Sequence, residues 1–335
     1  MTESNKAAAE AARGRRAAKP SEIPVPGWKD ILWRVYNNLS EHRVLAIAAG
    51  VTFYGLLAIF PAIAALVALY SLFADPNAIG AHLGSLSGVM PEGAISVLGD
   101  QINRVAAQGG TTLGFATLVG VLVSLWSANA GIKSLFDALN VVYQEEEKRG
   151  FFKLNAVSLA FTIAGIVFVL LALAVMIALP PALAYIGIGQ AAGLLVSILR
   201  WPVLFAAVSL AISAIYRWGP SRDEAQWRWL SWGSVFAAAG WLVMSLLFTW
   251  YAASFGSFNK TYGSLGAVVG FMIWMWLSNV VLLIGAELNA EMEHQTAADT
   301  TTGPPQPMGS RQAVVADTLG ASPDPNEKPE RRKTI

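Results

Sequence analysis

Few residues of this chain could do chemistry, and those few stand in or beside long apolar runs. Arg200 is a basic residue inside such a run, about 25 Å from Arg217 if the stretch between them is helical at 1.5 Å per residue. A guanidinium at that depth either snorkels toward lipid headgroups or faces a helix bundle, where its planar fork would hold an anionic headgroup or substrate. Tyr54, shortly before Pro61, and Tyr262, which opens the last apolar run, complete a candidate substrate-binding set with Arg200. Glu287, in Gly285-Ala286-Glu287-Leu288-Asn289-Ala290, closes that last run. Its carboxyl either pairs at the interface, with Lys133, Arg149 or a helix end as partner, or carries a proton, since low dielectric disfavours its charged form. Asn140 shares a helical face with Lys133 and Asp137 and marks an inner-mouth polar cluster. That face is either solvated or binds a polar ligand. Pro61 and Pro202 each remove a helical hydrogen bond, so they mark either packing kinks or hinges.

Other chemistries lack their residues. Cysteine is absent, and His42, His82 and His294 are far apart, so no metal-ligand spacing exists. No Gly-x-x-x-x-Gly-Lys-Ser/Thr loop occurs, so any active transport needs a gradient or a partner. The net charge of +1 argues against nucleic-acid binding by bulk electrostatics. Glu145, Glu146 and Glu147 sit in a charged run that reads as solvated. Catalytic residues, metal and cofactor are therefore all expected to be absent.

The elements that position these residues follow from where charge is missing. The chain is 55% hydrophobic and 13% charged, against roughly 25% charged in soluble domains. Its charge-free windows are 44–74, 105–132, 154–199, 201–216, 229–259 and 261–286. A spanning helix needs about 20 apolar residues. The windows predict an all-α, polytopic membrane protein with six spans near 45–72, 112–131, 155–179, 194–216, 229–253 and 263–287, the third closed by Pro180-Pro181. Twenty Lys and Arg fall on one side of this threading and two, Arg104 and Lys260, on the other. That asymmetry places both termini in the cytoplasm.

Residues 28–40 put Ile31, Leu32, Val35 and Leu39 on one face and predict an interfacial helix. Trp218, Trp227, Trp229 and Trp232 suit the headgroup level. Between the first two spans, 76–110 forms an outer amphipathic segment, with Ile95, Leu98, Ile102 and Val105 on one face and Asp100 and Arg104 off it. The membrane domain is expected over 28–294. The tails 1–27 and 295–335, polar and without periodicity, read as disordered, and no cleavable signal peptide is evident at the start.

Five pieces of text carry a resemblance: Thr52-Phe53-Tyr54 with Phe60-Pro61; Asn140-Val141-Val142-Tyr143; Tyr216-Arg217 with Pro220; Tyr262-Gly263-Ser264; and Leu283 to Ala290. In this order and spacing the chain resembles the YihY/BrkB family over roughly 28–293. The resemblance implies a six-span protein of the bacterial inner membrane. It also brings the labels "ribonuclease BN" and, for some members, virulence factor. Some members are suspected of moving lipids or lipid-linked glycans. Three functions follow as expectations: a transporter or flippase for an anionic amphiphile, with membrane lipids as its surroundings; a non-catalytic membrane scaffold; and a ribonuclease. The last lacks the metal-holding carboxylates or acid/base pair that a nuclease needs, which leaves its label as an inherited name.

Overall fold

The computed structural model describes residues 10–70, 92–108, 115–185, 190–254 and 264–322. Among these residues the chain is helical, without strands. Its helices are α1 (Val25–Glu41), α2 (Val44–Tyr70), α3 (Glu92–Gln108), α4 (Phe115–Val142), α5 (Phe151–Tyr185), α6 (Gln190–Trp218), α7 (Trp227–Ser254), α8 (Ser264–Glu293) and the single turn α9 (Val314–Asp317). Five of them have stretches long and apolar enough to cross a bilayer: Val44–Tyr70, Val119–Val142, Phe151–Ala172, Trp227–Ala252 and Gly266–Glu293. In α6 the described apolar stretch, Pro202–Trp218, is shorter. Large apolar side chains such as Leu122, Leu171, Leu210 and Leu247 point outward on these helices. Only a hydrocarbon solvent makes that arrangement stable.

Small residues decide which helices meet. At Gly233 on α7, an added Cβ would stand 2.2 Å from the Gly285 carbonyl oxygen of α8. The two helices therefore touch backbone to backbone, the approach that glycine permits in membranes. On α4, a Cβ at Gly131 would stand 3.1 Å from the Ala58 Cβ of α2. Helix α3 lays Ile102, Ile95 and Leu98 onto Ile63 and Val67 of α2 and contacts α8 as well. Its apolar face thus covers the bundle. Residues 76–91 and 109–110 of the expected outer segment lie outside the described residues.

Four expectations are corrected. Helix α5 runs through Pro180-Pro181 instead of ending before them; neighbouring helices and local adjustment let membrane helices tolerate proline. Helix α1 buries Asp30, Ile31, Arg34, Val35 and Asn38 and exposes Leu32, Trp33 and Tyr36. Its inward face is partly polar because it meets the polar end of α8, while aromatic residues occupy the outward side. Trp229, expected at the headgroups, is fully buried against Ile31 and Met292. The described parts of the two supposed disordered tails, 10–27 and 295–322, are packed: Thr300, Val315 and Ala316 are buried, and Arg311 donates to the carbonyls of Ala297, Ala298 and Ala316. Polar composition did not leave these segments free because their partners are distant parts of the same chain. Ala297 N–H donates to the Arg15 carbonyl at 2.8 Å, and Gly320 N–H to that of His294 at 2.9 Å.

Candidate functional site

Two regions of the bundle hold what chemistry the chain has. The first is the polar end, where α2 begins and α8 finishes. Arg34, Asn38 and His42 are spaced four apart at the end of α1, and Glu287, Glu291 and Gln295 are spaced four apart at the end of α8. Residues four apart share one helix face, so two polar stripes meet antiparallel. His42 Nδ1 lies 2.5 Å from Glu287 Oε1. Asn38 donates to Glu291 at 2.9 Å and to Glu287 at 3.3 Å. Arg34 bonds to Glu291 and donates to Gln295 Oε1 at 2.8 Å. Burial pulls the His42 pKa down, but the hydrogen bond and charge of Glu287 act more strongly and leave it raised.

A second cluster adjoins the first. Glu293 accepts from both Arg222 Nη atoms, at 3.1 and 2.7 Å, and from Thr300 Oγ1 at 2.7 Å. The Arg222 guanidinium lies 5.1 Å from the Tyr143 ring centre. Asn140 is built into this cluster by the end of α4. There Gln144 adopts φ 57° and the Glu145 N–H reaches the Asn140 carbonyl at 2.7 Å, closing the helix in a Schellman turn. The Asn140 side chain then accepts from Ser221 N–H at 2.7 Å and donates to Glu147 at 3.2 Å. Burial raises the Glu147 pKa, and the two-point contact with Arg149 outweighs it, holding the carboxyl at about 2. Two acids of the run are thus not solvated as expected: Glu147 is held by Arg149, and Glu145 is buried and accepts from Val314 N–H at 2.7 Å, whereas Glu146 is exposed. The charges of Glu145 and Glu147 are bound because α4 stops abruptly and turns the run back under the bundle.

The second region is a cleft of about 470 Å³ between α2, α4, α5 and α8. Gly55, Ala58, Gly131 and Gly165 line it with small surfaces, and Thr162 and Asn279 are its polar residues. On α2 the lining runs from Val51 to Leu66, about 22 Å at 1.5 Å per residue. Asn279 donates to Thr52 Oγ1 at 3.0 Å, which fixes the amide to α2. The volume falls within the roughly 300–1,000 Å³ of ordinary ligand sites.

The candidate residues scatter between these regions. Glu287 and Asn140 stand at the polar end, and Glu287 pairs with His42 and Asn38, not with Lys133 or Arg149. Pro61 lies inside α2 between the cleft residues Ile59 and Ala62, and Pro202 lies inside α6. Tyr54 is half exposed and stacks edge-on with Phe53, 5.4 Å between centroids, and it does not line the cleft. The Arg200 side chain and all of Tyr262 lie outside the described residues. Reading residues singly missed Arg34, Asn38, His42 and Arg222. The matched four-residue spacing of the stripes on α1 and α8 was a signal that could have found the first three. Among the described residues, no three of His, Cys, Asp and Glu are grouped to hold a metal.

Apolar helices of spanning length around an intramembrane cleft define a polytopic, all-helical membrane protein. The family model described as "Virulence factor BrkB" matches residues 35–309, and the chain belongs to that family. It is 29% identical to the "Putative ribonuclease-like protein YfkH" of Bacillus subtilis, over 77% of this chain and 94% of that one. It is 26% identical to the "UPF0761 membrane protein Mpe_A1422" of Methylibium petroleiphilum, over 78% of this chain and 62% of the other. It is 25% identical to the "UPF0761 membrane protein NMB0524" of Neisseria meningitidis serogroup B, over 78% and 63%. The chain therefore spans less than two thirds of the two UPF0761 relatives. No solved structure matches. These relatives and the apolar helices make this a multi-pass bacterial membrane protein, and the inner membrane fits the family.

Proposed function

We infer that this protein carries an anionic amphiphile, a lipid or lipid-linked molecule, across the bilayer. The observation that carries the inference is the cleft: a long, narrow, nearly apolar slot cut into helices that lipid surrounds. Hydrocarbon already solvates its walls, so an acyl or isoprenoid chain enters without loss of apolar contact, whereas a free polar solute would lose its hydration. On this reading six spans hold both termini in the cytoplasm, and the polar end faces inward by the positive-inside rule. Pro61 and Pro202 are the bending points of α2 and α6, Arg200 and Tyr262 meet the substrate at the outer side, and Glu287 with His42 is the proton-responsive pair. Tyr54 stands beside the slot as an outer-wall contact.

Gly165 gives the direct test, because a Cβ added there meets nothing within 4 Å. The variant Gly165→Leu fills the slot without displacing a helix. In proteoliposomes carrying a fluorescent anionic phospholipid, the wild-type protein should speed movement between leaflets and Gly165→Leu should abolish the gain. Equal rates in both would overturn the inference.

The printed name of the Bacillus relative supports a different reading, a ribonuclease. Such an enzyme would draw on carboxylates at the polar end, yet Glu287, Glu291, Glu293 and Glu147 are each engaged by His42, Arg34, Arg222 and Arg149. Trimming of labelled tRNA by purified protein with Mg²⁺, lost in Glu293→Gln, would favour that reading over transport.

A further inference from the structure

The cleft has a charged neighbour that the transport reading does not use. Lys133 lies within the candidate span Val119–Val142, next to the cleft residue Ile132. Its Nζ donates to Asn155 Oδ1 at 3.1 Å and lies 5.7 Å from the centre of the exposed Trp126 ring. Asp137, one turn further along α4, is exposed; it attracts Lys133 electrostatically but makes no salt bridge with it. Lys133 is thus a half-buried cation of α4, held directly by an amide and an indole. An ionisable residue in a membrane span is costly and normally has a charged partner. Here Asp137 stands in solvent beyond salt-bridge range, so the cation is only partly compensated.

A further observation points from this cation into the cleft. Asn155, Ser158 and Thr162 form a buried polar line along one face of α5. Asn155 at one end of the line holds Lys133, and Thr162 at the other lines the cleft, followed by Gly165 and Val169. From Asn155 to Val169 is about 21 Å along the helix. The line therefore joins a cationic head end to an apolar slot of chain length. A phospholipid with one negative charge has that shape and polarity.

We propose that Lys133 binds the phosphate of an anionic phospholipid whose acyl chain lies in the α2–α4–α5 cleft, so that the slot takes anionic lipids in preference to zwitterionic ones. The ammonium group of a zwitterionic headgroup would stand against the Lys133 cation, whereas an anionic headgroup brings only attraction. This deepens the transport reading and rests on the same cleft, but it concerns equilibrium binding and not movement.

The test uses full-length protein in mixed phosphatidylglycerol and phosphatidylcholine nanodiscs, with spin-labelled versions of each lipid reporting the immobilised fraction. Wild-type protein should hold phosphatidylglycerol over phosphatidylcholine. Lys133→Met should lower that preference about fivefold, the effect of about one basic residue at an anionic surface. Lys133→Arg should keep it. Gly165→Leu should release both lipids alike, and inorganic phosphate should not compete. A preference that survives in Lys133→Met, an immobilised fraction unchanged in Gly165→Leu, or competition by inorganic phosphate would each overturn the proposal. Lys133→Arg and Gly165→Leu keep it falsifiable should Lys133→Met fail to fold. Selective binding without leaflet exchange would sink the transport reading alone, and exchange without headgroup preference would sink this proposal alone.

Discussion

At the polar end of the bundle the buried carboxylates Glu287, Glu291 and Glu293 each face a basic group on another element. In the cleft, about two to three turns before Glu287 on α8, Met275 and Asn279 look onto a space that no side chain fills. One end is closed by pairs that cost much to separate; the middle is left open where Gly165 stands. The contrast locates rigidity and vacancy on the same helices. A bundle that must admit a chain between its helices needs a fixed end about which the rest can part, and paired charges in low dielectric supply it.

The comparison can be broken at its strongest point. Arg222→Ala leaves Glu293 buried and unpaired, with side-chain exposures of 2% and 0% in the pair. It should lower stability by about 3–5 kcal/mol, read as a fall in the unfolding midpoint in detergent. A loss below about 1 kcal/mol would mean that the end is not the anchor.

Next in size are two glycines of opposite character. Gly233→Ala pushes a Cβ to 2.2 Å from the Gly285 oxygen and 2.4 Å from Asn289 Oδ1. It should cost about 1–3 kcal/mol as the α7–α8 crossing is forced apart. Gly165→Ala projects into open space and should be neutral or stabilising by up to about 1 kcal/mol, the helix-propensity gain. The same measurement on both variants sharpens the distinction between glycines that pack and glycines that leave room.

The smallest effect concerns protonation. The folded pKa of His42 lies above its ordinary 6.5. The His42–Glu287 contribution is therefore complete below about 6.5 and lost as pH rises through the raised folded value. The unfolding midpoint should fall modestly on going from mildly acidic to alkaline buffer, and His42→Ala should flatten that slope. Glu147 behaves oppositely: with its folded pKa lowered from 4.5 to about 2, its contribution is complete at neutral pH and is lost as pH falls from 4.5 through about 2.

The helices were legible in the sequence because hydrocarbon tolerates so little charge: the charge-free windows 44–74, 229–259 and 261–286 begin within a few residues of the starts of α2, α7 and α8. The proline and inner-end motifs were legible as local text. What sequence could not yield was pairing at a distance. Arg222 and Glu293 are 71 positions apart, Arg34 and Glu291 257, and nothing in either neighbourhood announces the other. The cleft was equally hidden, since a glycine that packs and a glycine that opens space look alike until the helices are placed. The polarity of α1 was misjudged for a related reason: Leu32 was grouped with Ile31 and Val35 on one apolar face, yet it is exposed, and the bundle offers α1 carboxylates.

Segment 296–322 has a practical consequence. It runs beneath the helices like a buckled strap, from Thr296 on the Ala17 carbonyl to Arg34 on that of Ala321. A truncation after residue 295, of the kind used to trim a supposedly floppy end before crystallisation or fusion to a reporter, would unroof the acids of α8. An expression failure of such a shortened chain would report a lost floor and say nothing about its threading through the bilayer.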